Sequence, residues 1–261
     1  MCGQKVYLFI LLSLSLAIPL GSSAEPINDY GEAINQAGRQ RMLSQRIVKA
    51  FAQIGQQVLF ANPRAQMNSA IGLYQEQLNN LKSFARSVST KQALTDAETV
   101  WKRYRSLADG AINKQNAIKL NRLSEELLWS SQQVVQSLVQ EARTEKAHIV
   151  DISGRQRMLS QRMAKYYLLL SWGVEDPQFH REFKKAELEF SEALAELNNS
   201  SLNTVEISES LDSVNKQWRF FQLTKIMDKG QYLPSVVART TEKLLIDMNH
   251  ITGLYAKVTD L

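Results

Sequence analysis

Beyond residue 27, apolar residues return at three- and four-residue intervals. Leu43, Ile47, Phe51, Ile54 and Val58, for example, share one side of a helical wheel. Punctuation cuts this pattern into segments. In the first half a helix from about Ile27 to Ala61 stops at Asn62-Pro63, a second runs to about Ser87, and Ser89 and Thr90 can cap a third. Asp109-Gly110 ends the third helix, and a fourth begins near Asn113. The second half repeats the layout, with a break at Asp176-Pro177, a polar loop at Asn198–Asn203 and another at Lys229–Pro234. Four amphipathic helices with short connections, twice over, predict an all-α chain of two tandem up-and-down four-helix bundles.

Between Asn116 and Trp172 there is no proline, and the only glycine is Gly154. Uninterrupted helical pattern across the junction predicts that the last helix of the first bundle runs into the first helix of the second. Four antiparallel helices end pointing opposite to the first. A long shared helix would therefore stack the bundles end to end as a rod, and a kink near Arg143–His148 would instead set their first helices side by side and parallel.

The halves are copies of each other. The string GRQRMLSQR occurs at Gly38–Arg46 and again at Gly154–Arg162. Ile34 and Val150 precede it at equal distance, and Lys49 and Lys165 follow it. Further on, Trp101 matches Trp218, and Glu125, Leu127 and Leu128 match Glu242, Leu244 and Leu245. Each unit is about 115 residues, enough to bury its own core. The expected divisions are residues 1–24, 25–144 and 145–261.

Residues 1–24 have the make-up of an export signal. Lys5 precedes an apolar run from Val6 to Leu20, and Ser22 and Ala24 suit cleavage after Ala24. An uncleaved anchor is the alternative, opposed by Pro19, the interspersed serines and the short apolar core. The single cysteine, Cys2, lies ahead of the apolar run, where it is not placed as a lipoprotein acceptor. Its removal leaves no thiol or disulfide chemistry. No second apolar stretch reaches spanning length, so the mature chain is expected to be periplasmic.

Charge and composition narrow the function. Without the leader the chain carries 30 basic and 26 acidic side chains. That excess is too slight for nucleic acid and is compatible with a small anionic ligand. No nucleophile, phosphate loop or metal-ligand pair stands out, so no enzyme, metal or cofactor is expected. Glu145 and His148 make one Glu-x-x-His, but the position matching His148 is Glu32, so a di-iron bundle lacks its second half. His148 reads as a surface or junction residue, and His180 and His250 are scattered. Trp101, Trp218, Tyr166, Tyr167, Phe220 and Phe221 read as core.

Opposite the apolar stripe of the first motif helix lies a narrow face of Ile34, Gly38, Arg41, Gln45, Val48 and Ala52. The second copy reproduces it with Val150, Gly154, Arg157, Gln161, Ala164 and Leu168. Glycine admits a neighbouring backbone and leaves room beside the arginine one turn on. A guanidinium presents donors in a plane, matching a flat oxyanion, and Gln45 or Gln161 could donate as well. At about 1.5–3 kcal/mol per charge-assisted bond, two converging arginines would give a dissociation constant between about millimolar and tens of micromolar. Otherwise the arginines bridge acidic neighbours and the glycines merely permit packing. Asp151 stands where the first copy has Asn35, and its negative charge predicts weaker binding at the second motif than at the first.

The segments Ile34–Arg46 and Ile152–Arg162 resemble the motif of PilJ-type sensor domains, the extracytoplasmic modules of type IV pilus chemotaxis transducers. They are also similar to the ligand box of nitrate/nitrite sensor kinases. The resemblance implies a four-helix sensory bundle that binds a small oxyanion, nitrate or nitrite, for signal transduction. The glycine and the arginine three residues later would contact it at a dimer interface, roles that fall on Gly38 and Arg41 and on Gly154 and Arg157. Such domains usually sit between two membrane helices and drive a kinase or chemotaxis output. Here neither is apparent, so occupancy is expected to pass to a membrane receptor or envelope partner. One anion per chain would mean a site folded between the repeats. Two would mean independent sites, each completed by a homodimer or within its own bundle. A helical scaffold without a small ligand is the competing reading.

Overall fold

The computed structural model describes residues 27–225 and 231–258, and the leader expected at 1–24, with Cys2, lies outside that range. Eight helices make up the described chain: α1 (Tyr30–Gly55), α2 (Pro63–Phe84), α3 (Val88–Ala108), α4 (Lys114–Ala142), α5 (Glu145–Ser171), α6 (Pro177–Asn198), α7 (Val205–Thr224) and α8 (Pro234–Lys257). No helix among the described residues is long and apolar enough to cross a membrane.

The caps show why helices start where they do. Asp29, Asn62, Ser87, Asn113, Thr144, Asp176 and Thr204 each accept a hydrogen bond from a first-turn amide through their side chains. The cap of α3 is thus Ser87, not Ser89 or Thr90. The first helix ends at Gly55 rather than Ala61, because Gln57, Ala61 and Asn62 take positive φ and turn the chain toward α2.

The junction corrects the expectation of a shared helix and an end-to-end rod. Arg143 adopts a left-handed conformation (φ 54°, ψ 35°) that closes α4, and extended Thr144 caps α5 by accepting from the Ala147 amide at 3.2 Å. This turn carries neither glycine nor proline. It reverses the chain, so α5 returns alongside α1, and the two motif helices make the most extensive helix–helix contact in the molecule. They run parallel and in register. A Cβ built on Gly38 would stand 3.9 Å from Gly154 Cα, and beyond the far end of α1 the Gln56 side-chain amide donates to the Leu168 carbonyl at 2.9 Å. At that far end Gly55 is required by packing, because a Cβ there would lie 2.1 Å from the Trp172 ring.

Around this central pair, α1 packs on α2 and α4, and α5 on α6 and α8. The two copies are related by an approximate twofold axis along the α1–α5 seam. Matching aromatic pairs fill their cores: Tyr74 stacks on Trp101 at 4.0 Å, and Phe190 lies 4.4 Å from Trp218. Fully burying one such ring contributes roughly 2–3 kcal/mol. Of the aromatics expected in the core, Phe220 is instead exposed on α7. His148 is exposed at the start of α5, 3.4 Å from Glu196.

Candidate functional site

Because α1 has neighbours on every side, its polar motif is buried. Gly38, Arg41 and Gln45, and Gly154, Arg157 and Gln161 on α5, all lie inside. The glycines face each other across the seam, and both arginine side chains curl over them. The place a Gly38 Cβ would occupy is 3.2 Å from Arg41 Nη2 and 3.3 Å from Arg157 Nη2, and the Gly154 position is 3.4 and 3.1 Å from the same atoms. Two guanidinium groups from different repeats thus meet over one glycine pair, so the two motifs build one arrangement, not two.

Each arginine is held by its own bundle's fourth helix and by the opposite motif helix. Arg41 Nη1 donates to Gln132 Oε1 at 2.6 Å and lies 2.7 Å from Asp151 Oδ1, while Nη2 donates to the Asp151 carbonyl at 3.3 Å. The Arg41–Asp151 contact is an ion pair that is not aligned as a hydrogen bond. Arg157 Nη1 donates to Asn35 Oδ1 at 2.8 Å and Asn249 Oδ1 at 3.1 Å, and Nη2 to the Asn35 carbonyl at 3.0 Å. The pseudo-symmetry therefore pairs Gln132 with Asn249 and Asp151 with Asn35. Asp151 acts on the first repeat's arginine and not on its own, contrary to the expectation that it weakens a separate second site.

These bonds engage Nη1 twice in Arg157 and once in Arg41, and Nη2 once in each. The Nε of both arginines is buried with no hydrogen-bond partner among the described residues. In a guanidinium, Nε–H and one Nη2–H share an edge and point the same way, the edge that can grip a flat oxyanion, and the Nε end of that edge is unpartnered in both arginines. Electrostatics agree. Burial, then the nearby Arg39 and Arg41 cations, push Arg157 well below the usual arginine range, and Glu32 opposes this only in part. An arginine keeps its proton regardless. The direction reflects the burial of the Arg157 cation beside two other cations.

Gln45 and Gln161 face elsewhere. Gln45 Nε2 donates to the Ser124 carbonyl at 3.3 Å and Gln161 Nε2 to the Thr241 carbonyl at 3.4 Å, tying each motif helix to the fourth helix of its own bundle. Their amides are engaged in packing.

Two turns beyond the arginine pair, ion clusters cross between the repeats. Glu242 on α8 takes Arg46 at 2.7 Å and Lys49 at 2.7 Å from α1. Its counterpart Glu125 on α4 takes Arg162 at 2.7 Å and Lys165 at 2.6 Å from α5, and Arg162 also reaches Glu182 at 2.7 Å. Burial alone would raise Glu242, but Lys49 and Arg46 outweigh it and hold the carboxyl at about 2. Burial lowers Lys165 to about 8 despite Glu125. Sequence reasoning noted these residues as repeat markers without giving them partners. It missed Gln132 and Asn249, although extending the repeat alignment would have matched them as two amides.

The depressed Glu242 carboxyl sets an acid limit. Its contribution to stability is complete above its unfolded value of about 4.5 and disappears as pH falls through about 2. The shift corresponds to about 3 kcal/mol. Urea unfolding between pH 6 and 2 is expected to show this loss below about pH 4.5, and Glu242→Gln should flatten it. An unchanged profile in that variant would assign the acid sensitivity elsewhere.

The PilJ family description, Type IV pili methyl-accepting chemotaxis transducer N-term, matches the chain twice, over residues 27–126 and 139–224. No curated protein and no solved structure is detectably similar to the chain.

Proposed function

This chain belongs to the PilJ family and carries its sensory domain in tandem, and on that premise we propose that it binds one small flat oxyanion, nitrate or nitrite, between its two repeats. The observation that supports this most is the meeting of Arg41 and Arg157 over Gly38 and Gly154, both guanidiniums fully buried, with a single carboxylate, that of Asp151, paired to Arg41. Burying charge without compensation is costly, and a structure retains it where a bound partner of opposite sign completes it. The two Nε/Nη2 edges suit a planar anion with oxygens on two sides. Both arginines come from one chain, so the site needs no second copy.

In this reading a leader at 1–24 exports the protein to the periplasm. Repeats at 25–144 and 145–261 close on the anion, and occupancy passes to a membrane receptor or envelope protein. Ligand entry would reset the seam between α1 and α5, and the Glu242 and Glu125 clusters would carry that change to α8 and α4. The protein performs no catalysis.

Calorimetric titration of the mature chain with sodium nitrate and sodium nitrite is the test. The expected result is saturable heat with a dissociation constant between about millimolar and tens of micromolar. Absence of heat and of a thermal shift at several millimolar of both anions would leave a helical scaffold instead.

The glycines give a separate prediction. A methyl at Gly38 or Gly154 must displace both Nη2 atoms, which stand 3.1–3.4 Å from the Cβ positions. Alanine also favours helix over glycine by about 1 kcal/mol. Gly38→Ala and Gly154→Ala are therefore expected to keep the melting temperature within a few degrees while reducing anion affinity about tenfold or more. Melting curves with and without nitrate measure both effects, and unaltered affinity in both variants would count against the site.

A further inference from the structure

We propose that Asp151 is a built-in counter-charge that restricts the site to monoanions and turns dianions away; this rests on the anion-binding reading above. The two halves of the site match in charge except here, since Gln132 and Asn249 are both neutral amides whereas Asp151 stands opposite Asn35. Arg157 is held by the neutral oxygens of Asn35 and Asn249, whereas Arg41 is held by neutral Gln132 and by the Asp151 carboxylate. The arginine pair thus meets one negative charge and retains one positive charge in excess. Glu32 and Arg39, the other charged groups acting on Arg157, oppose each other in sign.

A monoanion brings this buried group to neutrality. A dianion of similar size would overshoot it and would meet the Asp151 carboxylate across the same guanidinium. At an effective dielectric constant of about 20, that repulsion over about 5 Å disfavours the dianion by roughly a hundredfold. The carboxylate keeps its place when the ion binds. Its side chain is 22% exposed and lies against Nη1 of the fully buried Arg41, whereas the unpartnered Nε lies on another edge of the guanidinium, so a bound oxyanion and Asp151 share Arg41 without displacing one another.

The test compares sodium nitrate and sodium sulfate by calorimetry on the wild type, Asp151→Asn and Asn35→Asp, with a melting curve confirming that each variant folds. Asp151→Asn gives both halves the same amide. Its sulfate affinity relative to nitrate is expected to rise about a hundredfold, and nitrate itself should bind more tightly. Asn35→Asp adds a second carboxylate, cancels the excess charge and should weaken nitrate at least about tenfold. If the wild type binds nitrate and Asp151→Asn shows unchanged selectivity, the role of Asp151 is overturned and the site stands. Equal binding of nitrate and sulfate by the wild type overturns it in the same way. If no variant binds either anion, the anion-binding reading itself falls, and this inference with it.

Discussion

Arg157→Met is expected to remove the anion response, lowering affinity at least about a hundredfold, without lowering the stability of the anion-free protein. The guanidinium is fully buried, has only neutral acceptors and lies close to the cations of Arg41 and Arg39. Replacing a poorly compensated buried charge by an apolar chain of similar volume is commonly neutral or stabilising. The Asn35 and Asn249 acceptors lose a donor, at about 1 kcal/mol each, which offsets part of the gain. Arg41→Met should lose binding equally, but it also strips Asp151 of its cation. Because Asp151 can turn to solvent, the added cost is modest, about 1–2 kcal/mol. Urea midpoints without anion, together with nitrate titrations, separate these outcomes. If both substitutions destabilise alike and leave nitrate affinity intact, the arginines serve packing alone.

Glu242→Ala should be the most destabilising single change at a charged position, by about 3–5 kcal/mol. It leaves two cations inside the protein without their carboxylate, Lys49 fully buried with only the Gln161 amide oxygen and Arg46 nearly buried. Against a total stability of about 5–15 kcal/mol this is a large fraction. The matching change Glu125→Ala should cost less, about 1–2 kcal/mol, since Glu125 is a third exposed and Arg162 keeps Glu182. Trp101 and Trp129 lie in the first repeat and Trp172 and Trp218 in the second, so tryptophan fluorescence in urea follows both. Glu242 sits on the second repeat and its cations on the first, so its loss should weaken the union of the two bundles. Equal and small effects of the two substitutions would show that the clusters do not join the repeats.

Much of this architecture was legible in the residues, and the failures have physical causes. Apolar periodicity and the Asn62-Pro63, Asp109-Gly110 and Asp176-Pro177 breaks marked the helices, because caps and prolines act locally. The turn at Arg143 stood only as the alternative to a continuous helix, because a left-handed residue there is ordinarily glycine or asparagine. Only the Thr144 cap betrays it. That one turn decides whether the motif helices stack end to end or lie side by side, a distinction that local pattern does not encode. The wheel placed Gly38 and Arg41 on a single face, and the fold brings that face against its copy. The same wheel put Gln45 and Gln161 there too, yet long amides reach sideways to the α4 and α8 carbonyls. The Asn35/Asp151 difference was visible in the repeat alignment. Which arginine it acts on became clear only from the cross-seam geometry.

The central claim is that two arginines from two repeats of one chain form one site. The most direct measurement is the number of nitrate ions bound at saturation per chain, with light scattering to establish the mass of the binding species. One ion per monomeric chain is expected. Two ions per chain, or one ion for every two chains, would contradict it.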